Sequence, residues 1–225
     1  MTDFVGRPEA VVFDLDGTLV DTADEFVVVL QQMLGDYGRP MLDPANIRKS
    51  VSNGSGALIT LGFGVTPSHN DYEPLRLDFL DRYEQVLGNS ASPYPGMVGL
   101  VAALADSGVA WGVATNKFRR YAEPLMAAMD FEPPTQSLVT PCDVTHAKPH
   151  PEAILLSCTN LGVAPSRTLY IGDHQRDIDA GRGAGCFTIA AAYGYIEDHD
   201  DPDRWQADAI AHSSEDLAAM IMRMM

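Results

Sequence analysis

The 225-residue sequence is short of cysteine, of basic residues and of long apolar runs, and each shortage removes a class of protein. Its three cysteines, Cys142, Cys158 and Cys186, are widely separated and odd in number, with no CxxC or Cys/His ligand spacing. That gives neither a disulfide framework nor a zinc site, and it fits a reducing compartment. Lys and Arg total 15 against 31 Asp and Glu, a formal charge of -16. Nucleic acid and anionic membrane surfaces are therefore disfavoured as partners, and a small anionic ligand needs a locally positive pocket. No apolar stretch approaches the length of a membrane span, and "MTDFVGRPEA" lacks the basic and apolar regions of a secretory leader, so the expected location is cytoplasmic. Low-complexity tracts and internal repeats are also missing. With 46% apolar residues, the chain is long enough for one large core or for a core with an insertion.

What is present is an alternation of two patterns. Short apolar or β-branched runs at 10–15, 109–115, 137–140, 168–173 and 186–192 are separated by helical patterns at 97–107, 120–129, 150–162, 176–184 and 214–224. Such alternation predicts an α/β fold with a parallel sheet covered by helices. In "KPHPEAILLSCTNLGV", Pro151 suits a first turn, Ile154, Leu155, Cys158 and Leu161 recur at helical spacing, and Gly162 ends the pattern. Residues 20–91 differ, because no second strand follows the first. Phe26, Val29, Leu30, Met33 and Leu34 form one helical stripe, and Leu75, Phe79, Leu80, Tyr83 and Leu87 another. In "SVSNGSGALI" at 50–59, small residues precede an apolar helix start, where Ser or Asn suits a cap. The predicted division is a core of 1–19 and 92–225 with a helical insertion at 20–91, rejoined through "SASPYPGM".

Ligands of open α/β sheets bind outside the carboxyl ends of the strands. Those ends carry Asp14 and Asp16 after the first run, Thr115, Asn116 and Lys117 after the second, and Asp173 and Asp177 after the fourth, with Lys148 opening a helix nearby. Carboxylates converging without a cation raise one another's pKa values, whereas a divalent metal favours their ionised forms. Hard oxygen ligands point to Mg²⁺, for which Asp14, Asp173 and a backbone carbonyl suffice beside substrate oxygens. Asp14 then suits a nucleophile that forms an aspartyl phosphate. Asp16, two residues further along a continuing strand, shares its face and suits the proton carrier, with Gly17 allowing the turn that follows. The Thr115 hydroxyl, neighbouring backbone N–H groups including that of Asn116, and the Lys148 ammonium are the available donors to a phosphoryl group.

The run "DLDGT" has four specified residues at about 5–7% each, so chance places it in fewer than about 1% of chains of this length. Together with "ATN", "KP" and "GDHQRD" in order, it resembles the haloacid dehalogenase superfamily of phosphohydrolases, in its phosphoglycolate phosphatase-like branch with a helical cap. The resemblance covers nearly the whole chain and implies a Rossmann-like core with a helical cap inserted after the first strand. It implies Asp14 as nucleophile and Asp16 as acid and base. Thr115 and Lys148 become phosphoryl clamps, Asp14, Asp16 and Asp173 the metal set, and Asp177 with Gly172 a support. "IRKSVSNGSGALI" and "LRLDFLDRYE" look like phosphoglycolate phosphatase caps and also like the related cap of N-acetylmuramic acid 6-phosphate phosphatases. Asn53, Gly54, Ser55 and Gly56 would then face the substrate. One departure is "GDH" at 172–174 where relatives commonly have "GDD". Asp173 is retained, and His174 reads as an ordinary replacement. His146 reads as a loop residue, and Trp111 and Trp205 as packing residues.

The expected activity is Mg²⁺-dependent hydrolysis of a small phosphate monoester, phosphoglycolate first. The alternatives are N-acetylmuramic acid 6-phosphate or another sugar phosphate, then a phosphosugar mutase. A phospho-switch also groups Asp, Thr and Lys around Mg²⁺, but Asp16 and the long insertion argue against it. An intact nucleophile and clamps argue against an inactive binding protein. The expected assembly is a monomer or homodimer acting on a small-molecule phosphate ester.

Overall fold

The computed structural model describes residues 4–225, so the first three residues assigned to the core lie outside the described residues. The first strand, β1 (Ala10–Phe13), is wholly buried. It runs into a paired ribbon strand, β2 (Val20–Asp21), and then into four helices: α1 (Ala23–Asp36), α2 (Pro44–Lys49), α3 (Gly54–Phe63) and α4 (Tyr72–Val86). The chain returns through β3 (Ser92–Pro93), which pairs antiparallel with β2, Val20 opposite Pro93 and Asp21 opposite Ser92. Helices and strands then alternate: α5 (Met97–Asp106), β4 (Ala110–Ala114), α6 (Arg119–Ala128), β5 (Ser137–Val139), α7 (Glu152–Leu161), β6 (Thr168–Gly172), α8 (Gln175–Ala184) and β7 (Phe187–Ala191). The last elements are β8 (Ala209–Ala211) and α9 (Ser214–Met224).

Six strands form one parallel sheet in the order β5-β4-β1-β6-β7-β8, so β1 is central and the strand order switches beside it. Alternation of side chains along β1 divides the core. Val11 and Phe13 pack with Leu100, Leu104, Leu125 and Leu217 on one face. Val12 packs with Ile154, Cys158, Tyr170 and Ala180 on the other. Both faces are apolar because helices cover both, as parallel sheets require. The four helices between β2 and β3 have their own cluster, built on Phe26, Leu30, Leu58, Phe79 and Tyr83. Among the described residues, no helix is long and apolar enough to cross a membrane.

The five sequence-predicted strands and five core helices all appear, each end within two residues of expectation. Three strands were not expected. β2 and β3 have two residues each, too few to show any period, and β8 reads "AIA", whose small side chains resemble a helix or loop as readily as a strand. A second difference lies beyond Phe13. The Asp14 N–H still donates to the Ile171 carbonyl at 2.8 Å, but the Leu15 carbonyl then accepts from Leu19 and Val20 N–H at 3.1 and 3.0 Å. The strand therefore does not continue to Asp16, which sits in a tight turn instead. Pro151 similarly precedes α7 rather than filling its first turn, while Gly162 ends that helix at φ +67°.

The separate helical cluster makes a stability prediction. Phe79→Ala, at a fully buried site, lowers unfolding free energy by about 3–5 kcal/mol. Leu77→Ala, two residues along on the exposed face of α4, changes it by less than about 0.5 kcal/mol. Chemical denaturation of the two variants checks the contrast.

Candidate functional site

The carboxyl ends of β1, β4 and β6 are adjacent in the sheet, so the residues that follow them converge. Asp14 follows β1, Thr115 follows β4, and Asp173 follows β6. Lys148 arrives from the long connection after β5 and is held by a reciprocal pair of hydrogen bonds. Its N–H donates to Asn116 Oδ1 at 3.1 Å, and Asn116 Nδ2 donates to its carbonyl at 3.0 Å. Lys148 is buried, with Nζ 2.8 Å from Asp14 Oδ1 and 2.7 Å from Asp177 Oδ1, and it donates to the Tyr170 hydroxyl at 3.1 Å. Burial alone would lower the ammonium pKa, but the two carboxylates outweigh it and hold Lys148 above its ordinary value.

Carboxylate oxygens of Asp14, Asp173 and Asp177 lie within 4.8 Å of one another. Burial pushes Asp14 up to about 6, opposed by Lys148 and assisted by the Asp177 charge. It pushes Asp173 up to about 8, with the Asp14 and Asp177 charges adding to the effect. Three hard oxygen donors with more negative charge than Lys148 neutralises are a donor set for a hard divalent cation. The cluster contains Asp177, whereas the sequence-derived metal set has Asp16 in its place. The Asp16 carboxylate is occupied elsewhere: Oδ1 accepts from Thr22 Oγ1 at 2.7 Å and from Lys117 Nζ at 2.9 Å.

Close approach fixes the cluster. A Cβ on Gly172 would lie 2.2 Å from Asp177 Cβ, and one on Gly17, at φ +79°, would lie 2.2 Å from Asp173 Oδ2. Asp173 Oδ2 accepts from the Tyr195 N–H at 2.9 Å and from Ser52 Oγ at 2.8 Å. Ser52 belongs to the segment between α2 and α3, so the helical layer reaches down onto the sheet edge. A cavity of about 430 Å³ lies between the two layers. Asp14, Asp16, Thr115, Asn116, Lys148 and Asp177 form its floor, and Asn53, Gly54, Ser55 and Gly56 line the opposite side. Phe26, Tyr72, Tyr83, Phe118 and Tyr121 supply an aromatic wall.

The cavity thus unites the expected catalytic and substrate-facing residues. Asp173 and Gly172 lie behind it, Asp173 being covered by Ser52 and Tyr195. Four participants were missed or left without a role. Lys117 donates to Asp16 and to the Tyr83 hydroxyl at 2.7 Å, and its position directly after "TN" was the available signal. Ser52, Tyr195 and Arg176 had none, since each acts through a contact distant in sequence. Asn53, expected as a helix cap, makes no side-chain cap at α3 because its Oδ1 accepts from Arg176 Nη2 at 2.7 Å. His174, read as an ordinary replacement, has a structural role. It caps α8, its Nδ1 accepting from the Arg176 N–H at 3.1 Å while its own N–H donates to Asp177 Oδ2 at 3.1 Å. Burial, then the nearby Arg176 charge, pushes its imidazole down to about 4. His146 is exposed and pairs with Glu152, and both tryptophans are buried in packing.

A family model described as haloacid dehalogenase-like hydrolase matches residues 11–191. An N-acetylmuramic acid 6-phosphate phosphatase from Pseudomonas aeruginosa is 43% identical over 217 residues, covering 96% of each chain. A phosphoglycolate phosphatase from Xanthomonas campestris is 36% identical over 213 residues, covering 93% of this chain and 95% of its own. Among solved structures, a predicted phosphoglycolate phosphatase from Haemophilus somnus has a TM-score of 0.84 at 23% identity. It covers 96% of this chain and 99% of that one.

The ion-pair geometry predicts that Lys148→Met, which strands the buried Asp177 and the partly buried Asp14, lowers stability by about 3–5 kcal/mol. Adding Asp177→Asn to that variant restores part of the loss. Denaturant titration of the single and double variants without divalent cations measures both effects.

Proposed function

Because the chain belongs to the haloacid dehalogenase-like hydrolases and is a phosphoric monoester hydrolase, we propose that it works through an aspartyl-phosphate intermediate on Asp14 and requires Mg²⁺. The observation that carries this reading is the different surroundings of two aspartates two residues apart. Asp14 lies in the carboxylate cluster against Lys148, while Asp16 is held outside it by Lys117 and Thr22. Carboxyl groups in contrasting environments are suited to contrasting roles.

In the proposed sequence, Asp14 attacks phosphorus and displaces the alcohol oxygen. Asp16, whose Oδ2 is left by its Oδ1 partners to carry a proton, protonates that oxygen as it leaves. Water then attacks the aspartyl phosphate, Asp16 takes back a proton, and phosphate departs with Asp14 restored. Lys148 and the Thr115 hydroxyl stand where donors to the equatorial oxygens are needed. Asp14 and Asp173, with Asp177 behind them, would hold Mg²⁺, and Asp16 would join through its backbone carbonyl. The ion would supply charge neutralisation for the phosphoryl oxygens. Residues 20–91 would serve as a cap that excludes bulk water, Ser52 being its contact with Asp173.

For the substrate, we favour N-acetylmuramic acid 6-phosphate over phosphoglycolate. The cavity lies in the range that holds a drug-sized ligand, about 300–1,000 Å³, and its aromatic wall suits the body of an amino sugar. A two-carbon acid leaves that wall without a contact. The names of the 43% and 39% identical relatives agree with this preference.

Two outcomes test the mechanism. Asp14→Asn reduces kcat by at least about 10³-fold and Asp16→Asn by about 10²- to 10⁴-fold, each read on both esters. Wild-type turnover by Asp14→Asn would remove the nucleophile assignment. The second concerns the metal. Asp14 and Asp173 have folded pKa values of about 6 and about 8, above the ordinary carboxylate value of about 4. Their contribution to stability is full below that ordinary value and is lost as pH rises through 6 and then 8. The metal-free protein therefore becomes less stable from pH 5 to pH 8, and Mg²⁺ raises the melting temperature more at pH 8. Equal shifts at the two pH values would contradict the assigned ligands.

A further inference from the structure

The cations around the cavity are unevenly compensated. Lys148 sits between Asp14 and Asp177, and Lys117 is paired with Asp16. Arg76 is paired with Glu73 through Nε at 2.8 Å and Nη2 at 2.6 Å. Arg176 differs from all three. Among the described residues, its half-buried guanidinium meets no carboxylate. It donates instead to the Ser52 carbonyl at 2.9 Å, Asn53 Oδ1 at 2.7 Å and His174 Nδ1 at 3.2 Å. His174 Nε2 lies 2.8 Å from Arg176 Nη2, so the imidazole edge faces the guanidinium at both ring nitrogens. An imidazole brings no negative charge in either protonation state that proteins populate.

Resting on the phosphatase reading above, we propose that Arg176 receives a carboxylate carried by the substrate in addition to its phosphate ester, and so determines specificity. A guanidinium has five N–H donors; three make these hydrogen bonds and a second on Nη2 faces His174 Nε2 at 2.8 Å, which leaves one, on Nη1, for a ligand. That N–H can donate to one oxygen of a carboxylate, and a charge partly withdrawn from water without a counter-charge is costly until a ligand brings one. The phosphoryl group has its own donors in Lys148 and Thr115, so Arg176 is free for a second anion. The N-terminal end of α3 lines the same cavity without a side-chain cap, because Asn53 is engaged with Arg176. Its partial positive charge adds to the same field. Phosphoglycolate and N-acetylmuramic acid 6-phosphate both carry a carboxylate, and this shared group is what Arg176 would recognise.

The test measures kcat/KM, with saturating Mg²⁺, on two matched pairs of esters. Phosphoglycolate is compared with 2-hydroxyethyl phosphate, and N-acetylmuramic acid 6-phosphate with N-acetylglucosamine 6-phosphate, which lacks the lactyl carboxylate. The wild type favours the carboxylate member of at least one pair by about 10- to 100-fold, the scale of one charge-assisted contact. Arg176→Gln brings that ratio within about threefold of unity, and Arg176→Lys keeps part of it. The pair with the larger wild-type ratio identifies the source of the carboxylate. Equal losses on both members in Arg176→Gln would make Arg176 a structural tie between α8 and residues 52–53 and overturn the proposal. A wild type that hydrolyses both members equally would overturn it too, leaving the phosphatase reading intact. A wild type that hydrolyses none of the four would remove that reading instead.

Discussion

The placement of Lys148 between Asp14 and Asp177 is the contact on which the rest of the site depends. A buried ammonium needs carboxylates and buried carboxylates need an ammonium, so neither half is stable alone in an apolar sheet. Lys148 arrives from the connection after β5, and Asp14 and Asp177 from β1 and α8. The triad therefore joins three stretches of chain at one sheet edge. It also leaves the balance incomplete, because Asp173 adds a further buried acid. That surplus of carboxylate oxygens over the one ammonium is what fits the sheet edge to a hard cation.

Much of this was legible in the sequence, because strand ends in a parallel sheet are chemically conspicuous. A fully apolar run such as "AVVF" cannot be followed by aspartates in a buried strand unless something uses them. Which ends converge is set by the strand order, with β4 and β6 on either side of β1. The fine geometry was less legible. Asp16 was placed on a continuing strand, yet Gly17 at φ +79° and the Leu15 carbonyl turn the chain immediately after Asp14. The outcome for Asp16, facing the cavity, survives because the turn and Lys117 orient it.

What could not be read was long-range and polar. Arg176 lies in the first turn of α8 between two motif aspartates, where a charged residue looks like ordinary solvated surface. Only the fold brings Ser52 and Asn53 against it. The aromatic wall has the same origin. Phe26, Tyr83 and Tyr121 come from α1, α4 and α6, and the first two belong to stripes that read as core. Lys117 lies over the rings of Phe26 and Tyr83, 5.0 and 4.7 Å from their centroids, so packing residues also help hold a functional cation.

The ribbon of β2 and β3 has an evolutionary consequence. Its two strands are hydrogen-bonded to each other, so the stretch carrying α1–α4 leaves and re-enters the sheet layer at a single point. Everything above the reacting groups that comes from residues 22–91 is thus one uninterrupted cassette with touching ends. A gene segment of that kind can be exchanged or diversified as a block without moving Asp14, Lys148 or the strand order beneath.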